Sequence, residues 1–532
     1  MISRKKRLPQ NLICMFALIL VVGGCAVGPD YKKPSVPEPK KWVEQEDPKV
    51  KTEPADVSRW WKVFDDPALN ELIEMAFRQN LTLQIAAIRI LEARAQLGIA
   101  TGNLYPQSQQ VRGGYNYSSL SENTANTSPS IDLNYGEIDL GLDVAWELDF
   151  WGKFRRAVES GIGDLAASIA NYDDILVTLT ADVARSYVII RTLEARLAIA
   201  RQNVKIQRRS LQIADVRYQG GEVTELDVQQ ARALLRDTQA LIPRLETSLR
   251  QAKNGLAILL GKLPGDLKDL LGGSQPIPKA PVDITVGVPA ELLRRRPDIR
   301  LAESRLAAQS ALIGVAKADL YPHFSLFGSI GLRSSNASLT AAGGTDFSDI
   351  RDSDSIEFFG GPAINWDIFN YGRIKNRVRI QDARFQQFIV NYQNSVLRAA
   401  QEVEDAMIAF LRKQEEAQLL SESVKAAKRS VSISLLQYEE GLVDYQRVLD
   451  TQRFQSLEED LLTSTAGNVI LNLIAMYKAL GGGWQIRKGK KLIPEDTKEE
   501  MQKRTDWGKL LSPEKIKVPA DEPRTRWRGP DW

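Results

Sequence analysis

The sequence predicts an α+β membrane protein in which long two-faced strands are joined to helices of roughly 100 Å, with the whole unit written twice. Three observations carry that fold class: an internal repeat, an unbroken seven-residue apolar period, and strict two-residue alternation between the helices. Composition sets the frame. The 532 residues are 43% hydrophobic and 26% charged, enough apolar material for a core. Lys+Arg (70) nearly balance Asp+Glu (67), so the concentrated basic excess of a nucleic-acid binder is missing. Two cysteines and one histidine argue against a disulfide scaffold, a thiolate or imidazole zinc site and a histidine-dependent triad. No catalytic residue, cofactor or metal is expected, and the chain does not read as an enzyme.

The first segment indicates the compartment. Arg4, Lys5, Lys6 and Arg7 precede an apolar run from Leu12 to Val22, shorter than the ~20 residues of a comfortable membrane span and typical of a secretory signal. Val22-Gly23-Gly24 directly before Cys25 resembles the lipobox of bacterial lipoproteins. The resemblance implies that residues 1–24 are a signal peptide and that Cys25 becomes the lipidated (palmitate-bearing) first residue. Residues 25–67 then form a Pro-rich N-terminal segment, from Pro29 to Pro54, expected to be an extended tether without a core.

Residues 68–283 and 284–484 read as two copies of one unit. Residues 79–106 align without gaps on 295–322, both ending in Leu-Tyr-Pro, with eight of 28 positions identical. Trp146 to Gly261 aligns likewise on Trp366 to Gly481. Each copy holds a helical stretch, a β-hairpin (105–150, 321–371) and a long helical hairpin (153–261, 373–481). In the first helical hairpin Ile169, Leu176, Val183, Ile190, Leu197, Val204, Leu211 and Tyr218 recur every seven residues; Ile389 to Tyr438 repeats the pattern. A strict heptad imposes left-handed supercoiling against neighbouring helices. Tyr218, Gly220 and Gly221, with Tyr438 and Gly441, mark the hairpin tips, because glycine permits the turn.

In 138–150 the even residues are apolar (Ile138, Leu140, Leu142, Val144, Trp146, Leu148, Phe150) and the odd ones acidic or small. Residues 324–332 and 356–368 alternate in the same way. Strands of this kind fit a transmembrane β-barrel, apolar toward lipid and polar toward a lumen. Open strand edges cannot face lipid, so four strands per chain demand further copies.

Cys25-Ala26-Val27-Gly28-Pro29-Asp30-Tyr31, the paired Leu-Tyr-Pro motifs, Tyr438-x-x-Gly441, Leu449-Asp450-x-Gln452-Arg453 and Ala479-Leu480-Gly481-Gly482-Gly483-Trp484 resemble the TolC/OprM outer-membrane efflux factors, lipidated branch. The resemblance implies a homotrimer, with a 12-stranded barrel in outer-membrane lipid continued by a coiled-coil α-helical barrel through the periplasm. It further implies an exit duct for drugs or small molecules, served by a periplasmic adaptor (membrane fusion) protein and an inner-membrane pump of the RND type. A type I secretion duct for polypeptides shares this architecture. An envelope-spanning tether without a pore would leave the acidic strand face unexplained. The family's periplasmic gate maps onto Asp450 and Arg453, with Asp227 a weaker match. Arg447 departs from the family pattern, where an acidic residue is expected.

The remaining features read as structural. His323 lacks a second His or a Cys to partner it, and the Asp65-Asp66 and Asp173-Asp174 pairs read as solvated. Residues 485–532, with 13 Lys/Arg and nine Asp/Glu, read as a charged, solvated C-terminal tail.

Overall fold

The computed structural model describes residues 26–36, 41–53, 56–125, 132–265, 267–286, 295–339 and 343–511. Helix α1 (Pro67–Gln79) is started by Asp66, whose carboxylate accepts from the amides of Ala68 and Leu69, with Pro67 at the first helical position. Helix α2 (Leu81–Gly102) follows at once, so the single helical stretch expected near 68–102 is two helices split at Asn80. Strands β1 (Ser108–Ser119) and β2 (Asn134–Glu147) form a hairpin, and helices α3 (Lys153–Gln219) and α4 (Glu225–Leu259) form the first long helical hairpin. The second half repeats the order with α5 (Pro297–Ala318), β3 (His323–Ser335), β4 (Ile356–Asn365), α6 (Arg373–Glu439) and α7 (Tyr445–Ala479). Equivalent helices have equal lengths: 22 residues for α2 and α5, 67 for α3 and α6, 35 for α4 and α7.

Local chemistry repeats as well. Trp146 donates its indole N–H to the Leu104 carbonyl (3.2 Å), and Trp366 does the same to Leu320 (3.1 Å). Asn80 caps the Leu259 carbonyl at the end of α4, while Arg296 caps Ala479 at the end of α7. The four strands make one antiparallel meander, β1-β2-β3-β4, with β2 and β3 joining the two halves. The strand expected over 138–150 ends at Glu147. Past the ladder, Leu148 still donates to Phe324, but Phe150 turns back onto the Leu148 carbonyl.

The main core lies where α1, α2, α3, α6 and α7 meet, far from the sheet. Trp60, Trp61, Leu69, Leu72, Leu176, Tyr187, Val403, Phe410, Leu473 and Met476 are all buried there, and Trp60 stacks on Tyr477 at 5.4 Å. Burying each such aliphatic side chain contributes about 1.5–3 kcal/mol. Three expectations fail at this level. The tail is not solvated as far as residue 511: Ile486, Ile493, Met501 and Leu511 are buried in the same core, and helix α8 (Glu495–Arg504) packs beside it. Asp173 is not solvated either. It is fully buried, bound through both carboxylate oxygens by Arg487 and approached by Arg300 at 3.3 Å. A buried carboxylate needs such partners, and here the C-terminal segment brings one. Asp66, besides capping α1, accepts from the Tyr187 hydroxyl at 2.5 Å.

A fourth expectation, a tether without a core over 25–67, fails too: residues 26–36 run along the helices, but Trp42, Val50, Val57, Trp60, Trp61 and Phe64 are buried in the main core. Val27 donates to the Trp151 carbonyl (2.9 Å), Asp30 pairs with Arg156 (2.7 Å) and Lys33 with Glu303 (2.8 Å). Gly28 explains its own identity: its φ is +102°, and a Cβ would sit 2.4 Å from the Gly314 Cα. Two glycines are needed for backbone to cross backbone that closely.

Candidate functional site: the sheet faces and the hairpin tips

Side chains alternate along a strand, so pairing register decides which residues share a face. Leu142 lies opposite Val111 on one side and Ile330 on the other, and Ile330 lies opposite Phe358. An apolar face therefore runs unbroken across four strands, and it is open: Leu142 is 43%, Ile330 56% and Phe358 80% exposed. The opposite face is charged. Arg112 lies 3.3 Å from Asp139, 3.8 Å from Asp143 and 3.4 Å from Glu357, spanning from β1 to β4. Arg333 lies 3.4 Å from both Glu137 and Glu357. Four carboxylates against two guanidiniums leave this face acidic. Phe327 and Phe359 also sit here, rings 6.0 Å apart, in a band nearer the helices. Among the described residues no helix is long and apolar enough to cross a membrane, and no cluster of His, Cys, Asp and Glu could hold a metal.

At the far end, Gly221 (φ +77°) and Gly441 (φ +74°) make the left-handed turns between the long helices. Gly220 does not turn the chain; its φ is −73°, and Glu440 takes its place in the second hairpin. The two tyrosines also differ. Tyr218 is 43% exposed, whereas Tyr438 is buried against Tyr445, ring centroids 5.3 Å apart. The Tyr438 hydroxyl donates to Asp227 (3.4 Å), and Arg217 stacks on its ring and donates to its backbone carbonyl. These contacts tie the first hairpin to the second within one chain. Burial, with Asp444 adding to it, raises the Asp227 carboxyl above the usual range, against the pull of Tyr438 and Arg217. Burial likewise pushes the Tyr438 phenol up to about 12.

Asp450 and Arg453 sit one turn apart on α7, both exposed. Asp450 accepts from Gln446 (2.9 Å), which in turn accepts from Gln230 on α4 (3.3 Å). Among the described residues neither Asp450 nor Arg453 makes an ion pair within its own chain. Cys25 lies outside the described residues. Its neighbour Ala26 packs on Gly152, at the junction of sheet and helices.

A polar seam escaped the heptad reading. Asn203 donates to Glu459 (3.0 Å), Lys428 pairs with Glu459 (2.9 Å), and Gln452 donates to Ser210 (2.6 Å). Gln207 is buried beside them, and among the described residues neither end of its amide finds a partner. The spacing 203, 207, 210 facing 452, 455, 459 was a readable signal, polar residues at heptad intervals next to the apolar set.

A sheet with an open apolar face and a charged opposite face, standing on a shaft of 67-residue helices, defines a class: a channel-forming protein of the bacterial envelope. Residues 72–262 and 288–482, one stretch in each half, match the outer membrane efflux protein family, and the chain belongs to that family. It is 31% identical over 90% of its length to the pyoverdine export outer membrane protein OpmQ of Pseudomonas putida, covering 98% of that protein. It is 30% identical to Nodulation protein T of Rhizobium leguminosarum bv. trifolii, over 87% of this chain and 96% of the relative. The solved structure of the outer-membrane channel OprN superposes with a TM-score of 0.80 at 33% identity, covering 87% of this chain and all of OprN. The protein is an outer-membrane channel component of an efflux system, located in the bacterial outer membrane.

Proposed function

We propose that three copies close the four-stranded sheets into one 12-stranded barrel, lipid-anchored at Cys25, and that this duct passes drugs or other small molecules. The carrying observation is the sheet's two free edges. Leu120 donates to Leu133, and Leu148 donates to Phe324, so odd residues of β1 and even residues of β4 hold the unpaired backbone groups. In the two hairpins Ser108 and Ala145 correspond to His323 and Asn365. Carrying the β2–β3 register over to the outer edges places Gly361 of β4 opposite Asn116 of β1 in the next protomer. That register sets even residues of β4 against odd residues of β1, the phase the free groups need. Pro362, opposite Tyr115 in that register, has no N–H to donate, so the ladder across the new seam lacks one bond there.

The two halves are then duplicated units, alternating around a closed ring. The tips form the periplasmic end, where an adaptor and an inner-membrane pump of the RND type engage the duct. Asp450 and Arg453, with no ion-pair partner among the described residues of their own chain, bond across neighbouring chains and hold the tip shut. Cysteines at Gly361 and Asn116 test the closure together with the pore. The expected result is an oxidised covalent trimer that still gives single channels in planar bilayers. A dimer ladder without closure, or no conductance from folded protein, overturns it.

A further inference from the structure

One charged cluster lies outside the gate and the barrel lattice, at the neck where the sheet meets the helices. His323, the only histidine in the sequence, opens β3, and its Nδ1 lies 2.7 Å from Glu147 Oε1 at the end of β2. Lys153, at the start of α3, lies 3.6 Å from Glu147 and 3.1 Å from Asp319, which precedes β3. All four side chains are between 28% and 31% exposed, open enough to exchange with solvent and ions. Glu147 and His323 are odd-numbered residues of β2 and β3, so they share the face of Asp139, Asp143 and Arg333. Around them, Asp149 is occupied by Arg155 (2.9 Å), and the β4 residue in register with His323 is the uncharged Asn365, with Asp367 two residues on.

We propose that His323, Glu147, Lys153 and Asp319 form the charge-selecting ring of the channel neck, and that a proton on His323 sets the ring's charge. The proposal rests on the trimeric channel reading. With His323 protonated, two cations balance two carboxylates. With His323 neutral, one negative charge per protomer is left over, three around the ring. Imidazole is the one side chain that ordinarily changes charge between pH 5 and 8. Cation preference at the neck therefore increases as the proton leaves. Three charges lining an aqueous pore, screened by salt of about 0.1 M, change a cation-to-anion permeability ratio by a few-fold.

The experiment is the reversal potential of the reconstituted full-length channel in a KCl gradient, stepped through that pH range. Wild type should show the ratio rising a few-fold with pH in one step. His323→Gln should be flat at the alkaline value, and His323→Lys flat at the acid value, both with wild-type trimer yield. Glu147→Gln should lower cation preference throughout. A His323→Gln channel that keeps the wild-type pH step overturns the proposal. If that variant does not assemble, carbethoxylation of the single imidazole in wild-type channels replaces it, and an unchanged pH step then overturns the proposal equally. Folded wild-type protein that forms no channels instead refutes the channel reading beneath it.

Discussion

At the scale of single residues, the informative positions are polar groups whose surroundings the sequence cannot reveal. Asp173 and Asp174 are adjacent and identical, yet only Asp173 is met by two arginines. Burial, with Asp298 adding to it, pushes the Asp174 carboxyl up to about 6, against the opposing Arg296 and Lys478. A folded-state value above the unfolded one means the contribution is fully present at acid pH and is lost as pH rises through about 6. Asp174→Asn should therefore raise stability at pH 8 by about 1–3 kcal/mol and change little near pH 4. Thermal unfolding of the variant at both pH values checks this. The proposed gate is the second case. Asp450→Ala with Arg453→Ser should raise single-channel conductance and antibiotic leakage at unchanged trimer yield. A double variant conducting like wild type would place the gate elsewhere.

At the scale of elements, alternation and heptad spacing were legible because both are local consequences of backbone geometry. The long helices begin at Lys153 and Arg373, where the hairpin boundaries 153 and 373 put them. The strand faces follow the same rule, and they make a paired prediction. Arg at Leu142, on the open apolar face, should cost about 2–4 kcal/mol near the bilayer midplane and reduce trimer. Arg at Asp143, on the charged face beside Arg112, should leave assembly intact and weaken cation preference. Equal loss of trimer from both substitutions would contradict the assigned faces. Strand ends were less legible. Leu148 and Phe150 keep the two-residue period past Glu147, but the chain must turn there to enter α3, and periodicity carries no record of where pairing stops.

At the scale of the whole molecule, the described segments at either end, 26–36 and 485–511, are organised by the body between them. The N-terminal segment lies along the helices through Val27, Asp30 and Lys33, and Ala26 packs on Gly152 at the sheet–helix junction. In the proposed barrel that junction would stand at the periplasmic face of the membrane, next to the proposed lipid on Cys25. Mass spectrometry of the mature protein should find an acylated Cys25 at the N-terminus. Cys25→Ser should lack the lipid and still insert, because the proposed barrel would itself be an anchor; an intact 1–25 segment or an unmodified Cys25 would contradict this.

By itself the sequence determined the long helices, the repeated order and the polarity of the faces of β2, β3 and β4, since these depend on neighbours within a turn or two. It also carried the turning glycines Gly221 and Gly441 and the Asp450–Arg453 motif. Only the tertiary structure decided that Asp173 and Asp66 are bound, and that residues 485–511 complete the core. It also decided that Gly28 crosses Gly314, and that Asp227 is held by Tyr438 while Tyr218 stays open. The reason is the same in each case. Whether a polar group is solvated, paired or buried depends on which distant residues reach it. Arg487 arrives at Asp173 from 314 positions away, and no local period encodes that meeting.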